Sequence, residues 1–150
     1  MFSILMLLME VLSGDLKLQV TNKGVNVVFH YAANPKVRVS TTNPEIHFND
    51  NVMATFNLLE AMRRSDVKEP VFASSSSVYG EPEDIPVSED VHLRPYLLMH
   101  LYGTSRVACE ALIHAYSRLY GIRAAVLRYT NVVRPRLRHG VIYGPLMKLR

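Results

Sequence analysis

A phenol and a fixed cation stand four residues apart in YGTSR, Tyr102 to Arg106. On a helix, positions i and i+4 share a face, so the two side chains can address one point. A tyrosine near its ordinary pKa of about 10 is a poor base at neutral pH. A neighbouring cation favours the phenolate and brings the group toward proton transfer. Spacing alone favours two surface side chains at a helix start, since such pairs are common by chance. Upstream, Ser74 to Ser77 form an unbroken run of hydroxyls, able to donate to a carbonyl or alkoxide oxygen, or to satisfy backbone groups in a turn. A Ser–His–acid hydrolase needs its nucleophile on a Gly-x-Ser-x-Gly elbow, and no serine here is flanked that way. The six histidines are scattered and show no metal-ligand spacing, so no metal site is expected.

These groups must be positioned by a chain of 150 residues, 49% hydrophobic and 20% charged, which fits one globular domain with a real core. The lone Cys109 lies in an apolar helical pattern and reads as a small buried hydrophobe in a reducing compartment. The N-terminal MFSILMLLMEVL stops at Glu10, short of the roughly 20 residues that span a bilayer, and it lacks a basic leader region. It reads as a strand, and the protein as cytoplasmic, with no membrane partner. Charge is uneven. Residues 1–110 hold all 13 acids against nine Lys/Arg, a balance of −4, and residues 111–150 hold eight Lys/Arg and no acid. Such a basic stretch suits nucleic acid or a nucleotide diphosphate, or is matched by acids elsewhere on the surface. RPRLRH lacks interleaved stacking aromatics, which argues against nucleic acid.

Gly24 to Ala33 reads as a buried strand running into a tight loop, and Asn43–Pro44 as an N-cap and first position of a helix reaching about Arg64. Glu69 to Gly80 reads as a short strand, the serines, then a turn. Residues 82–96 are Pro-rich and acidic, a loop. From Tyr102 the stripe Val107, Ala108, Ala111, Leu112, Ala115, Leu119 predicts a helix to about Tyr120, stopped by Gly121. Gly121 to Val133 predicts another strand, and IYGPLMKLR the start of a helix. Alternating apolar strands and helices predict an α/β fold with a parallel sheet and helices on both faces. Ligands then sit outside the carboxyl ends of the strands, where His30–Asn34, Ser74–Ser77 and Tyr129–Asn131 fall.

The blocks VVFHYAA, NVMATFNLLEA, VFASSSSVYG, YGTSR and LRYTNVVRPR, in that order over about residues 10–150, closely resemble the extended short-chain dehydrogenase/reductase family. Within it, the resemblance is to the NAD-dependent nucleotide-sugar epimerases and dehydratases, most of all those acting at C4 of UDP-sugars. It implies a partial Rossmann-like doubly wound sheet, running from about the third strand to just past the sixth. It implies Tyr102 as the acid/base for the sugar hydroxyl, Ser75 as its hydrogen-bonding partner, and Arg106 at the position of a catalytic lysine. Asp15, Leu16, His30, Tyr31, Ala32, Ala33, Asn51 and Tyr129 would contact NAD, and Ser77 and Asn131 the nucleotide sugar. Helices near 44–64 and 102–120 match the family's dimer interface, which leaves a non-catalytic interaction module as the alternative function.

The sequence departs from that pattern at three places. Arg106 replaces lysine, and a planar guanidinium is not interchangeable with an ammonium. Arg134 stands where the family usually has glycine. No Gly-x-x-Gly-x-x-Gly occurs, so the loop that cradles a pyrophosphate at a helix N-terminus is missing. The resemblance accordingly implies that the first βαβ unit and the C-terminal substrate domain lie outside these residues, and that the chain alone binds NAD weakly. In the 3-2-1-4-5-6 strand order, the strand from Val25 would then offer an apolar edge, open to the N-terminal strand or to another chain.

Overall fold

The computed structural model describes residues 3–7, 24–83, 85–93, 98 and 100–132. Four parallel strands form one sheet in chain order: β1 (Ser3–Leu7), β2 (Val25–His30), β3 (Glu69–Ser75) and β4 (Ala125–Tyr129). β-Branched and aromatic side chains at Val25, Val27, Val28 and Phe29 suit β2 to a central place. The edge expected to lie open on β2 is taken by the N-terminal strand, which pairs in parallel from Ser3–Val25 to Leu7–His30, with one irregularity after Ser3.

Between β2 and β3 a helical segment runs as α1 (Glu45–His47), a π-turn (Phe48–Met53) and α2 (Ala54–Arg64). Its cap differs from expectation. Pro44, in right-handed conformation, precedes the first helical residue and no side chain caps it. The Asn43 N–H is instead drawn back to Val39 O at 2.8 Å, closing the 3-10 turn Val37–Thr41. The second helix, α3 (Leu101–Tyr120), ends as expected, with Gly121 left-handed at φ 69°, a conformation costly for a side chain with a Cβ.

Strands laid down in one direction with right-handed crossovers put their helices on one side. Among the described residues the helices cover that face, with two hydrophobic clusters beneath them. One joins Val25, Val28 and Ala32 to Leu58, Ala61, Met62 and Val67. The other joins Leu59, Phe72, Cys109, Ile113, Tyr116 and Ile122. Each large side chain so buried contributes about 1.5–3 kcal/mol. Cys109 is buried as expected, its thiol pushed up chiefly by desolvation. The opposite face carries Tyr31, Leu127 and Tyr129, all part-exposed. No described helix is long and apolar enough to cross a membrane.

Two of the three described arginines of the basic stretch meet earlier acids: Arg123 pairs with Glu69 and Arg128 with Glu110. Asp15, Leu16, Arg134 and the helix expected at 142–150 lie outside the described residues.

Candidate active site

The parallel register brings the three polar clusters side by side at the carboxyl ends of β2, β3 and β4, with Ser75 opposite Tyr129 and His30 opposite Phe72. The serines divide by role. Ser74 is buried and donates to the Glu110 carboxylate, which also receives Arg128 Nη2 at 2.9 Å; Arg128 reaches Tyr79 Oη at 3.2 Å. This hydroxyl is structural, tying β3 to α3 and β4. Ser75 caps the 3-10 turn Ser76–Tyr79. Its Oγ accepts the Ser77 N–H at 3.2 Å and donates to Ser77 Oγ at 3.1 Å. Ser75 and Ser77 therefore act as a pair, half-buried at the strand end.

The start of α3 is pressed against that pair. His100 takes extended backbone angles and its Nδ1 accepts the Gly103 N–H at 3.0 Å, capping the helix. A Cβ on Gly103 would lie 2.9 Å from Ser77 O, so only glycine permits this approach without a shift. Tyr102 precedes it in the same first turn of α3. The Tyr102 ring lies 6.1 Å from that of His100 and 5.9 Å from that of His47.

Arg106 is no surface residue. It is 3% exposed, with its guanidinium carbon 5.5 Å from the Tyr102 ring centre and 5.2 Å from that of Phe72. Its Nε and Nη1 are buried with no hydrogen-bond partner, as are His47 Nε2 and His30 Nδ1. His30 Nε2 meets Thr55 Oγ1 at 2.9 Å. Since that hydroxyl spends its hydrogen on Asn51 O at 2.7 Å, His30 donates there and its Nδ1 keeps a bare lone pair. Burial, then the Arg106 charge, pushes the His30 pKa down to about 3, so this imidazole is neutral.

Asn51 is 0% exposed and works as a clamp. Its Oδ1 accepts the Asn34 N–H at 2.7 Å, and its Nδ2 donates to Asn34 O at 3.3 Å and Ser105 Oγ at 2.9 Å. Both amide hydrogens are committed within the protein. The side chain fixes the loop after β2 to α3, leaving it no free donor for a cofactor. On the other sheet face the Tyr31 and Tyr129 hydroxyls lie 3.1 Å apart with rings 6.2 Å apart; the shared hydrogen bond raises the Tyr129 pKa above the ordinary phenol value. Ala32 is buried, Ala33 half-buried, and Asn131 is exposed just past β4. A cleft of about 1170 Å3 opens elsewhere, between α3 and β4, lined by Tyr79, Glu110, His114, Val126, Arg128 and Tyr129 among others; Tyr102 is not part of it.

The motif reading missed His47 and His100. A signal existed for each. His47, Asn51 and Thr55 make a polar stripe at four-residue steps within an otherwise apolar pattern, and His100 stands just before the helix at the position of an N-cap acceptor.

Comparison with known proteins bears on the same residues. A family model described as NAD dependent epimerase/dehydratase family matches residues 10–143. A putative UDP-glucose 4-epimerase of Methanocaldococcus jannaschii is 44% identical over 124 residues, covering 82% of this chain and 40% of that protein. A UDP-glucose 4-epimerase of Corynebacterium glutamicum is 36% identical, covering 73% of this chain and 32% of that one. Among solved structures, a UDP-galactose 4-epimerase aligns at TM-score 0.72 with 50% identity, over 90% of this chain and 45% of that one. The UDP-glucose 4-epimerase of Thermus thermophilus in complex with NAD aligns at 0.75 with 34% identity, over 83% and 40%. The chain thus spans less than half the length of these relatives. The family model covers most of the chain and the relatives agree with it, so this chain belongs to the NAD-dependent epimerase/dehydratase family.

Proposed function

We propose that these residues form the acid/base part of a nucleotide-sugar 4-epimerase that uses NAD. The observation that carries the reading is the Arg106 guanidinium, buried and laid on the Tyr102 ring one helical turn away, at a helix start where Gly103 is pressed on the Ser77 carbonyl. Tyr102 Oη takes the proton from the sugar 4-hydroxyl and later returns it. Ser75 Oγ hydrogen-bonds the same oxygen, so the developing carbonyl and its alkoxide are held by two groups. Arg106 sets its guanidinium on the Tyr102 ring. NAD, when bound, supplies the hydride acceptor and donor, and is regenerated in each cycle.

The residues fit such a group at one end. Unpartnered N–H donors on Arg106 and the unpartnered Nε2 of His47 border Tyr102, and buried polar atoms left unpaired are costly. An oxygen-rich ribose and carboxamide would recover that cost. The pyrophosphate end has no Gly-rich cradle in this sequence, which supports weak binding of NAD by the chain alone. UDP-sugars are the substrate class favoured by the relatives' activities.

A second copy of the chain is the favoured partner. Phe48 is 57% exposed in the π-turn and Leu119 70% exposed on α3, and Met53 and Phe56 are part-exposed. Burying this apolar surface against a copy of itself favours association. Free Cys109 and the absence of a described membrane-crossing helix support a cytoplasmic setting.

The reading is tested by transplanting residues 24–132 into the 50% identical UDP-galactose 4-epimerase and following conversion of UDP-galactose with NAD. Turnover, increased by Arg106→Lys, is expected. No turnover with either residue at 106, in a folded chimera, removes the epimerase reading.

A further inference from the structure

Ser74 and Ser75 are neighbours with different tasks. Successive side chains on a strand point to opposite faces, and β3 ends with Ser74 buried and bonded to Glu110 of α3. Ser75 instead caps the 3-10 turn Ser76–Tyr79, with its hydroxyl on Ser77. In sequence the Ser75–Ser77 pair thus lies between Ser74 and Tyr79. Both of these flanks lead to one side chain, Arg128 of β4.

On the Ser74 side, the Glu110 carboxylate that receives the serine hydroxyl also receives Arg128 Nη2 at 2.9 Å and Nε at 3.3 Å. On the Tyr79 side, Arg128 Nη1 donates to Tyr79 Oη at 3.2 Å, and the guanidinium carbon lies 5.0 Å from the centre of that ring. Nη1 also donates to Glu89 O at 3.2 Å, in the loop beyond the turn. All three nitrogens of the guanidinium are engaged. The register sets Arg128 opposite Ser74, one rung before Ser75 and Tyr129. An exposed ion pair of this kind would count for little, but the Arg128 and Glu110 side chains are only 24% and 11% exposed. A planar fork can hold a carboxylate, a phenol and a carbonyl at once, and the point charge of a lysine cannot reproduce that geometry.

We propose that Arg128 is a positioning residue for the Ser75–Ser77 pair, gripping the segment from Ser74 to Tyr79 at both ends. Through Glu110 it holds Ser74, and so the angle at which Ser75 leaves the strand. Through Tyr79 it holds the end of the turn that Ser75 caps. Arg128 acts on the pair only through these two residues. The catalytic meaning of the grip rests on the role proposed for Ser75, and its mechanical content does not.

Arg128→Lys keeps the charge and removes the fork, and its effect is read in two ways. In the full 150-residue chain, the Ser77 N–H that goes to Ser75 Oγ at 3.2 Å should lose about five-fold in hydrogen-exchange protection, the worth of a typical cap. The amides of β2 should keep theirs. In the chimera of the turnover experiment, Arg128→Lys should lower kcat for UDP-galactose by about ten-fold, as small misplacements of a reacting group do. With Ser75→Ala already present, the same change should cost less than about two-fold, because no hydroxyl is left to place. An arginine that only stabilises the fold would cut kcat alike in both backgrounds. Unchanged Ser77 protection, a loss shared by the β2 amides, or an equal fall in kcat with and without Ser75 overturns the proposal. An inactive chimera, with Ser77 protection still lost in Arg128→Lys, sinks the epimerase reading and leaves the grip standing.

Discussion

The guanidinium of Arg106 lies on the ring of Tyr102, one helical turn away, with 5.5 Å between its central carbon and the ring centre. The pair is held together inside the protein, since Arg106 is buried and also covers Phe72. Two of its nitrogens find no partner, so charge has been taken out of water with incomplete compensation. Cation–π contact returns about 0.5–2 kcal/mol, less than the several kcal/mol that desolvating an ion costs.

Arg106→Met keeps the length and apolar bulk while removing the charge. The variant of the chain alone should be more stable than the parent by about 1–3 kcal/mol, read as a higher urea midpoint with unchanged slope. A loss of stability of similar size would mean that the guanidinium is fully satisfied in the folded chain.

Gly103 gives a prediction of unusual sign. Replacing glycine by alanine inside a helix ordinarily stabilises by about 0.5–1 kcal/mol. Here the added Cβ would meet the Ser77 backbone carbonyl at 2.9 Å, and crowding of this kind costs about 1–3 kcal/mol. Gly103→Ala should therefore destabilise in chemical denaturation, and a stabilised variant would show that α3 is not pressed on the serine turn.

His30 sets an acid limb for stability. Its folded pKa is pushed down to about 3 from 6.5, by burial first and then by Arg106. Between those values the unfolded chain binds a proton that the folded chain refuses. The stability His30 contributes is thus complete above about pH 6.5 and declines as pH falls toward 3, by about 1.4 kcal/mol per unit. His30→Asn should flatten the slope of unfolding free energy over that window. An equal slope in the variant would assign the acid limb to other groups.

Much of this was legible in the sequence because it lies in periodic patterns. The strand at Val25, the helix closed by Gly121 and the clustering of polar residues at strand ends follow from alternation and turn chemistry. The candidate site residues came from five separated blocks, since Tyr102 and Ser75 are 27 positions apart in the chain. What stayed hidden depends on contacts of high sequence separation. Nothing local to Asn51 reveals that its amide is spent on Asn34 and Ser105, or that Ser74 turns inward to Glu110 while Ser75 does not. Pro44 rather than Asn43 heads the first helix, with no side-chain cap, while the Asn43 N–H turns back to Val39 O.

The central claim is that Tyr102 is the group that moves the proton. In the chimera carrying residues 24–132, kcat for UDP-galactose should fall by about 10²–10⁴-fold on Tyr102→Phe, with the urea midpoint unchanged, because the ring and its contacts with Arg106, His47 and His100 remain. A Tyr102→Phe chimera that turns over at the parent rate would contradict the account at its root.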